Sequence, residues 1–164
     1  MMIMLKRLFA VLLALLTLCA CQGGEPDFTE TVMVVNPFST HDTLAEAEKA
    51  ADITLTLPED LANCENIVYR AANNDDLQLI EVICELNEGK VCIRKGVSEE
   101  DISGVYNTYS VCTEYCGDDF NFTVHGYENK DHLATWSLDE YRYSIYAEQG
   151  MESGTLQDWV YDIR

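Results

Sequence analysis

Basic residues are scarce. Lysine and arginine together number 10 against 29 aspartates and glutamates, a formal net charge of −19. A field of that sign repels phosphate backbones and anionic headgroups, which argues against nucleic acid and against peripheral contact with a lipid surface. It admits cationic partners, loosely held divalent ions, or plain solubility. There are 3 histidines, His41, His125 and His132, and no His-x-x-x-His spacing joins any two of them. There is no internal repeat of fixed period and no low-complexity segment. No apolar run reaches the roughly 20 residues that span a bilayer.

What is present begins with the leader. Lys6 and Arg7 precede an uncharged run from Leu8 to Leu18, the pattern of a signal peptide. Leu18, small Ala20 and Cys21 then arrive in the register of a lipoprotein processing site, so residues 1–20 are expected to be removed and Cys21 to carry the lipid. The same run also reads as an ordinary secretory signal with an incidental cysteine, or as an uncleaved anchor. Two or more acyl chains hold a protein stably on a bilayer, which predicts a location on the outer face of a bacterial membrane. Residues 21–35, with Gly23-Gly24 and Pro26, read as a flexible tether. Residues 36–164 read as one extracytoplasmic domain. Without the leader the chain keeps 8 basic residues against 29 acidic ones, a net charge of −21.

The domain reads as α+β. Thr43 with Glu46 three residues on is a capping-box pattern, opening a short helix that ends near Asp52. Ile53, Leu55 and Leu57 alternate with Thr54 and Thr56, a strand pattern that Pro58 stops. Hairpin-ordered strands follow over 67–71, 77–86, 90–94 and 105–115, then around Phe120–His125, His132–Trp136 and Tyr141–Tyr146. Leu156, Trp159, Val160 and Ile163 form the stripe of an amphipathic helix. The expected architecture is an antiparallel meander of about seven strands. A short N-terminal helix and an amphipathic C-terminal helix should pack on it.

Several stretches, Asn36-Pro37-Phe38, Thr43-Leu44-Ala45-Glu46-Ala47-Glu48-Lys49-Ala50-Ala51, Leu57-Pro58, Ile93-Arg94-Lys95-Gly96, Asp101-Ile102-Ser103-Gly104, Ala134-Thr135-Trp136, Tyr143-Ser144-Ile145 and Gly150-Met151, resemble the bacterial family domain-of-unknown-function 4367. That family is frequent in lipoproteins and in proteins of anti-sigma-factor-like architecture. The resemblance covers roughly Asn36 to Ile163 and implies no catalytic residues. An anti-sigma role needs a cytoplasmic helical segment, and only Met1 to Lys6 could lie inside, so that role is not expected.

Five cysteines remain in the exported part: Cys64, Cys84, Cys92, Cys112 and Cys116. Disulfides are the default in such a protein. A three-residue turn Asn87-Glu88-Gly89 with a G1 bulge would set Cys84 opposite Cys92, close enough to bridge. A two-residue turn would put the two sulfurs on opposite faces.

Candidate chemistry is sparse. His125 and His132 on neighbouring strands could share a metal with a carboxylate, and Cys112 with Cys116 could supply two thiolates, but neither has a second ligand pair. Cys112 and His125 on paired strands could act as nucleophile and base, without an oxyanion hole in view. Asp75-Asp76 and Asp118-Asp119 read as turn acids, not calcium loops. Arg94-Lys95 is the one adjacent basic pair of the domain, and it opens a polar loop holding Ser103-Gly104. One reading is a local ion pair with Glu99-Glu100-Asp101, worth at most about 1 kcal/mol if exposed. The other is a ligand contact by Arg94, Lys95 and Ser103 in a surface groove. The function expected is a non-enzymatic binding or sensing module without a cofactor, its ligand cationic, a peptide or an envelope component. The alternative is a Cys-dependent redox or hydrolytic enzyme.

Overall fold

The computed structural model describes residues 36–163 apart from 87, 88 and 118. The leader, Cys21 and the tether lie outside the described residues. The strands are β1 (Ser39–His41), β2 (Glu65–Asn73), β3 (Gln78–Leu86), β4 (Gly89–Val97), β5 (Val111–Cys116), β6 (Asn121–Tyr127), β7 (Lys130–Leu138) and β8 (Tyr141–Glu152). Helix α1 covers Leu44–Ala51 and α2 covers Thr155–Asp162. The class is the α+β expected, with eight strands in place of seven.

The sheet order is β1-β2-β3-β4-β8-β7-β6-β5, antiparallel throughout. This corrects the single meander. Two four-stranded meanders meet where β4 pairs with β8, so residues 98–110 must travel from the middle of the sheet to its far edge. The strand expected over 105–115 therefore begins only at Val111, and 105–110 belong to the crossing.

Helix α1 starts as its sequence dictates. The Thr43 hydroxyl accepts from the Glu46 amide at 3.2 Å, and the Glu46 carboxylate reaches back to the Asp42 amide at 3.2 Å. Asp52 ends it in the left-handed conformation, φ 56°. The segment after it corrects a second expectation. Ile53 and Leu55 are buried as a strand pattern predicts, yet no strand forms. The Leu55 amide donates to the Glu48 carboxylate at 2.8 Å, and the Thr54 carbonyl accepts from Lys95 Nζ at 2.8 Å. Side chains satisfy this backbone, so it straps the core without joining the ladder.

Both helices lie on one face of the sheet. Ala47 and Ala51 of α1, and Leu156, Trp159 and Val160 of α2, close a core with Ile80, Val82, Ile93, Ala134, Trp136 and Ile145. The α2 stripe is buried as its spacing predicts.

The β3–β4 register is the third correction. Leu86 pairs with Gly89, Glu85 with Lys90, Cys84 with Val91 and Ile83 with Cys92. Only residues 87 and 88 separate the strands, one fewer than a G1-bulge loop needs. A one-residue slip sends alternate side chains to the opposite face. Cys84 thus faces the helices and Cys92 the other side, so their sulfurs point away from each other. The Cys84–Cys92 bond does not form.

The indole Nε1 atoms of Trp136 and Trp159 are buried without a hydrogen-bond partner among the described residues. Removing an unpaired polar atom offsets part of the volume lost by truncation. Trp159→Ala should cost about 3–5 kcal/mol, and Trp159→Phe under about 2 kcal/mol. Urea unfolding monitored by far-UV circular dichroism checks both values.

Candidate functional site

The face away from the helices carries a polar row that crosses every strand. Register pairs Thr40 with Arg70, Arg70 with Glu81, Glu81 with Arg94 and Arg94 with Ser144. The row continues through Thr135 and Thr123 to Glu114 on the edge strand.

Glu81 anchors this row. It is fully buried at 0 % exposure, between the apolar pairs Leu79-Ile80 and Val82-Ile83. Its Oε1 receives Arg70 through Nε, at 2.5 Å, and through Nη2. Its Oε2 receives Arg94 through Nε at 2.7 Å and Nη2 at 2.6 Å. The Cys92 thiol donates to Oε2 at 3.4 Å. Burial, then the nearby Glu81 charge, pushes the Cys92 pKa up to about 12. On the outer side the Arg70 guanidinium lies 4.9 Å from the ring centroid of Phe38, which docks the chain entry onto the row.

Arginines also fix the crossing. Arg94 Nη1 donates to the carbonyls of Ile102 at 2.9 Å and Ser103 at 2.6 Å. Arg142 donates from Nη2 to Glu99 O at 2.7 Å, and from Nε to Ser98 O at 3.2 Å. Tyr127 Oη reaches Thr108 O at 3.3 Å. Gly104 has φ +65°, and a Cβ there would meet Arg94 Nη1 at 2.5 Å. Glycine is required on both counts.

Between this crossing and the β5–β8 half of the sheet runs an open groove of about 630 Å³. Its wall on the loop side includes Asp101, Asn107 and Tyr109. On the sheet side Glu114, Thr123 and Thr135 contribute, with His125 and Arg142 at its margins. Tyr109 packs against His125, Tyr127 and His132, with ring centroids 6.1, 5.5 and 5.6 Å away.

The residues singled out in sequence part company here. Arg94 and Ser103 meet on the groove side. The Arg94 guanidinium is occupied by Glu81 and by loop carbonyls. Ser103 is buried and gives its hydroxyl to Asp101 at 2.6 Å. Both order the loop. Lys95 faces the helices instead, since its register partners Ile80 and Tyr143 belong to the core. It lies 4.5 Å from the Tyr141 ring centroid and 5.2 Å from that of Tyr143. Burial lowers its pKa. Arg94, Lys95 and Ser103 therefore do not form one ligand contact. The ion partner of Arg94 is Glu81, not the Glu99–Asp101 run.

Sequence reading missed Glu81 and Arg142. The signal for Glu81 was a lone charge inside Leu79-Ile80-Glu81-Val82-Ile83, flanked by strands that each carry an arginine. Cys112 does oppose His125 on β5 and β6, but it is an exposed edge-strand thiol. His132 bonds the Ala147 carbonyl through Nδ1 at 3.1 Å. Among the described residues no group of three or more His, Cys, Asp and Glu side chains is placed to hold a metal ion.

No protein-family profile, curated protein or solved structure matches the chain.

Breaking a buried ion pair from one side leaves an uncompensated charge and costs about 3–5 kcal/mol. Arg94→Met should therefore lower stability by about that much, and it should release residues 98–110. Urea midpoints test the first effect. Limited proteolysis tests the second, with new cleavage expected within 98–110 and not in β2 or β3.

Proposed function

We propose that the chain is a lipid-anchored extracytoplasmic binding or sensing module whose ligand seats in the groove beneath residues 98–110. The observation that carries this reading is the groove itself. It is polar, it is built on a sheet, and the loop above it is held by Arg94, Arg142 and Tyr127. Sites on rigid elements recognise ligands without the ordering cost that a mobile loop incurs. The lining offers hydroxyls, amides and carboxylates, with aromatic surface that includes Tyr109. That chemistry suits a hydroxylated or cationic envelope component or a peptide. The leader ending at Leu18-Cys19-Ala20-Cys21 supplies the anchor, and the resemblance to domain-of-unknown-function 4367, frequent in lipoproteins, agrees with that anchor alone.

A Cys-dependent enzyme is the second reading, favoured by the direct opposition of Cys112 and His125. Alkylation separates the two. Cys112 and Cys116 are both exposed, so a binding module should lose the two thiols at similar rates. A Cys112 rate at least tenfold above that of Cys116 would mark an activated nucleophile.

Anchoring is tested directly. Cys21→Ser should move the protein from the detergent phase to the aqueous phase in a two-phase partition. Unchanged partitioning would overturn the lipid anchor. Binding is tested with soluble peptidoglycan fragments by calorimetry. Thr135→Trp, which fills the groove floor, should abolish any heat seen with the parent chain while leaving the circular dichroism spectrum intact.

A further inference from the structure

Cys84 is denied Cys92 but it is not alone. It is 1 % exposed on the helix side of the sheet, in the core against which Cys64 also packs. Cys64 immediately precedes β2, is half-buried, and packs against the core that contains Cys84. The strand register explains the meeting. Glu65 pairs with Glu85, so Cys64 and Cys84 lie on a diagonal of the same face. A flat diagonal leaves Cβ atoms somewhat under 7–8 Å apart, too far for a bridge. Here the register shifts between Glu65 and Val68, and Asn66 adopts φ 53°. A bulge of this kind raises the local twist and re-aims its side chains.

We propose that Cys64 and Cys84 are the disulfide pair of the exported protein, tying the start of β2 to the end of β3. The inference rests on the extracytoplasmic location proposed above for its oxidant, a disulfide of an extracytoplasmic thiol oxidoreductase. Half-buried Cys64 is the entry thiol. Its thiolate attacks one oxidoreductase sulfur, forms a mixed disulfide and releases the other sulfur as a thiolate. The Cys84 thiolate then attacks the Cys64 sulfur and displaces the oxidoreductase. Two protons leave the protein thiols and two protonate the oxidoreductase thiolates. Two electrons pass with them. Burial first, then contact with Cys64, raises the Cys84 pKa.

The other three thiols have different surroundings. Cys92 lies on the opposite face, bonded to Glu81. Cys112 and Cys116 are exposed on one edge strand. Four residues of strand separate these two by about 13 Å, beyond bridging distance.

The test uses the full chain in detergent, taken from membranes of cells treated with N-ethylmaleimide before lysis, and in parallel a reduced sample equilibrated with oxidised glutathione. Unreduced peptide mapping should give a Cys64–Cys84 linked peptide in both, with Cys92 recovered as the maleimide adduct after unfolding. Reduction should weaken the folding equilibrium by a factor on the order of a few hundred, the size expected for a loop of about 20 residues. Cys64→Ser should remove that dependence on reductant, and because Cys64 is only half-buried it serves even where Cys84→Ala fails to fold. Separate alkylated Cys64 and Cys84 peptides after glutathione treatment, or a Cys84–Cys92 peptide, would overturn the pair. A bridge formed in glutathione but missing from the cellular sample overturns the bond in the cell. The partition of Cys21→Ser, measured alongside, then shows whether the location reading has fallen with it.

Discussion

A carboxylate with no access to water sits at the centre of this sheet, and much of the fold on that side follows from it. An ionised Glu81 loses several kcal/mol of hydration on burial and needs that replaced by partners. Register delivers one arginine from each neighbouring strand, and each approaches through Nε and Nη2. Charge-assisted contacts of this kind are about twice as strong as neutral ones and fix geometry as well. Arg94 then has N–H groups left over. It spends them on the carbonyls of Ile102 and Ser103. The position of the loop is in this way an outcome of the buried charge, and the groove an outcome of the loop.

The topology makes such an anchor necessary. Because β4 pairs with β8 rather than β5, residues 98–110 must pass over the sheet to reach its far edge. A crossing with no regular structure has backbone groups to satisfy and little apolar surface to bury. Arg94 holds its middle, Arg142 its start and Tyr127 its end. The helices cannot help, since both occupy the opposite face. One face of the sheet is thus an apolar core sealed by α1 and α2. The other is a polar surface covered by a strap.

How much of this could be read in the sequence follows from the range of the interactions involved. The α1 cap, its stop at Asp52 and the α2 stripe depend on neighbours within one or two turns, and the residues state them. The Ile53–Leu57 segment shows the limit of pattern alone. Alternating burial is real there, but pairing depends on whether another strand is free to receive it, and Glu48 and Lys95 reach its backbone first. The Cys84–Cys92 register failed for a narrower cause, since one residue in the turn decides which face every later side chain takes. The groove was out of reach because it depends on the β4–β8 pairing, a contact between segments some 50 residues apart. Lys95 and Arg94 looked like one basic site because they are adjacent, yet adjacent strand residues point to opposite faces.

That division of faces also sorts the reactive side chains. The Cys92 thiol donates to Glu81, the Ser103 hydroxyl is committed to Asp101, Arg94 is tied to Glu81, Ile102 and Ser103, and Lys95 is embedded among Tyr141, Tyr143 and Thr54. These four side chains near the centre of the sheet are thereby used to hold the fold. The residues that reach the groove are mainly hydroxyl, amide and carboxylate carriers on strands, together with the Tyr109 cluster over His125 and His132. Such groups bind by presenting donors and acceptors at fixed spacing, which the pleat sets at two residues along a strand and about 4.8 Å between strands. A surface of that kind discriminates by shape and hydrogen-bond pattern. In the binding role we propose for it, selectivity depends on how firmly the strap above it is held, and therefore on the charge of Glu81.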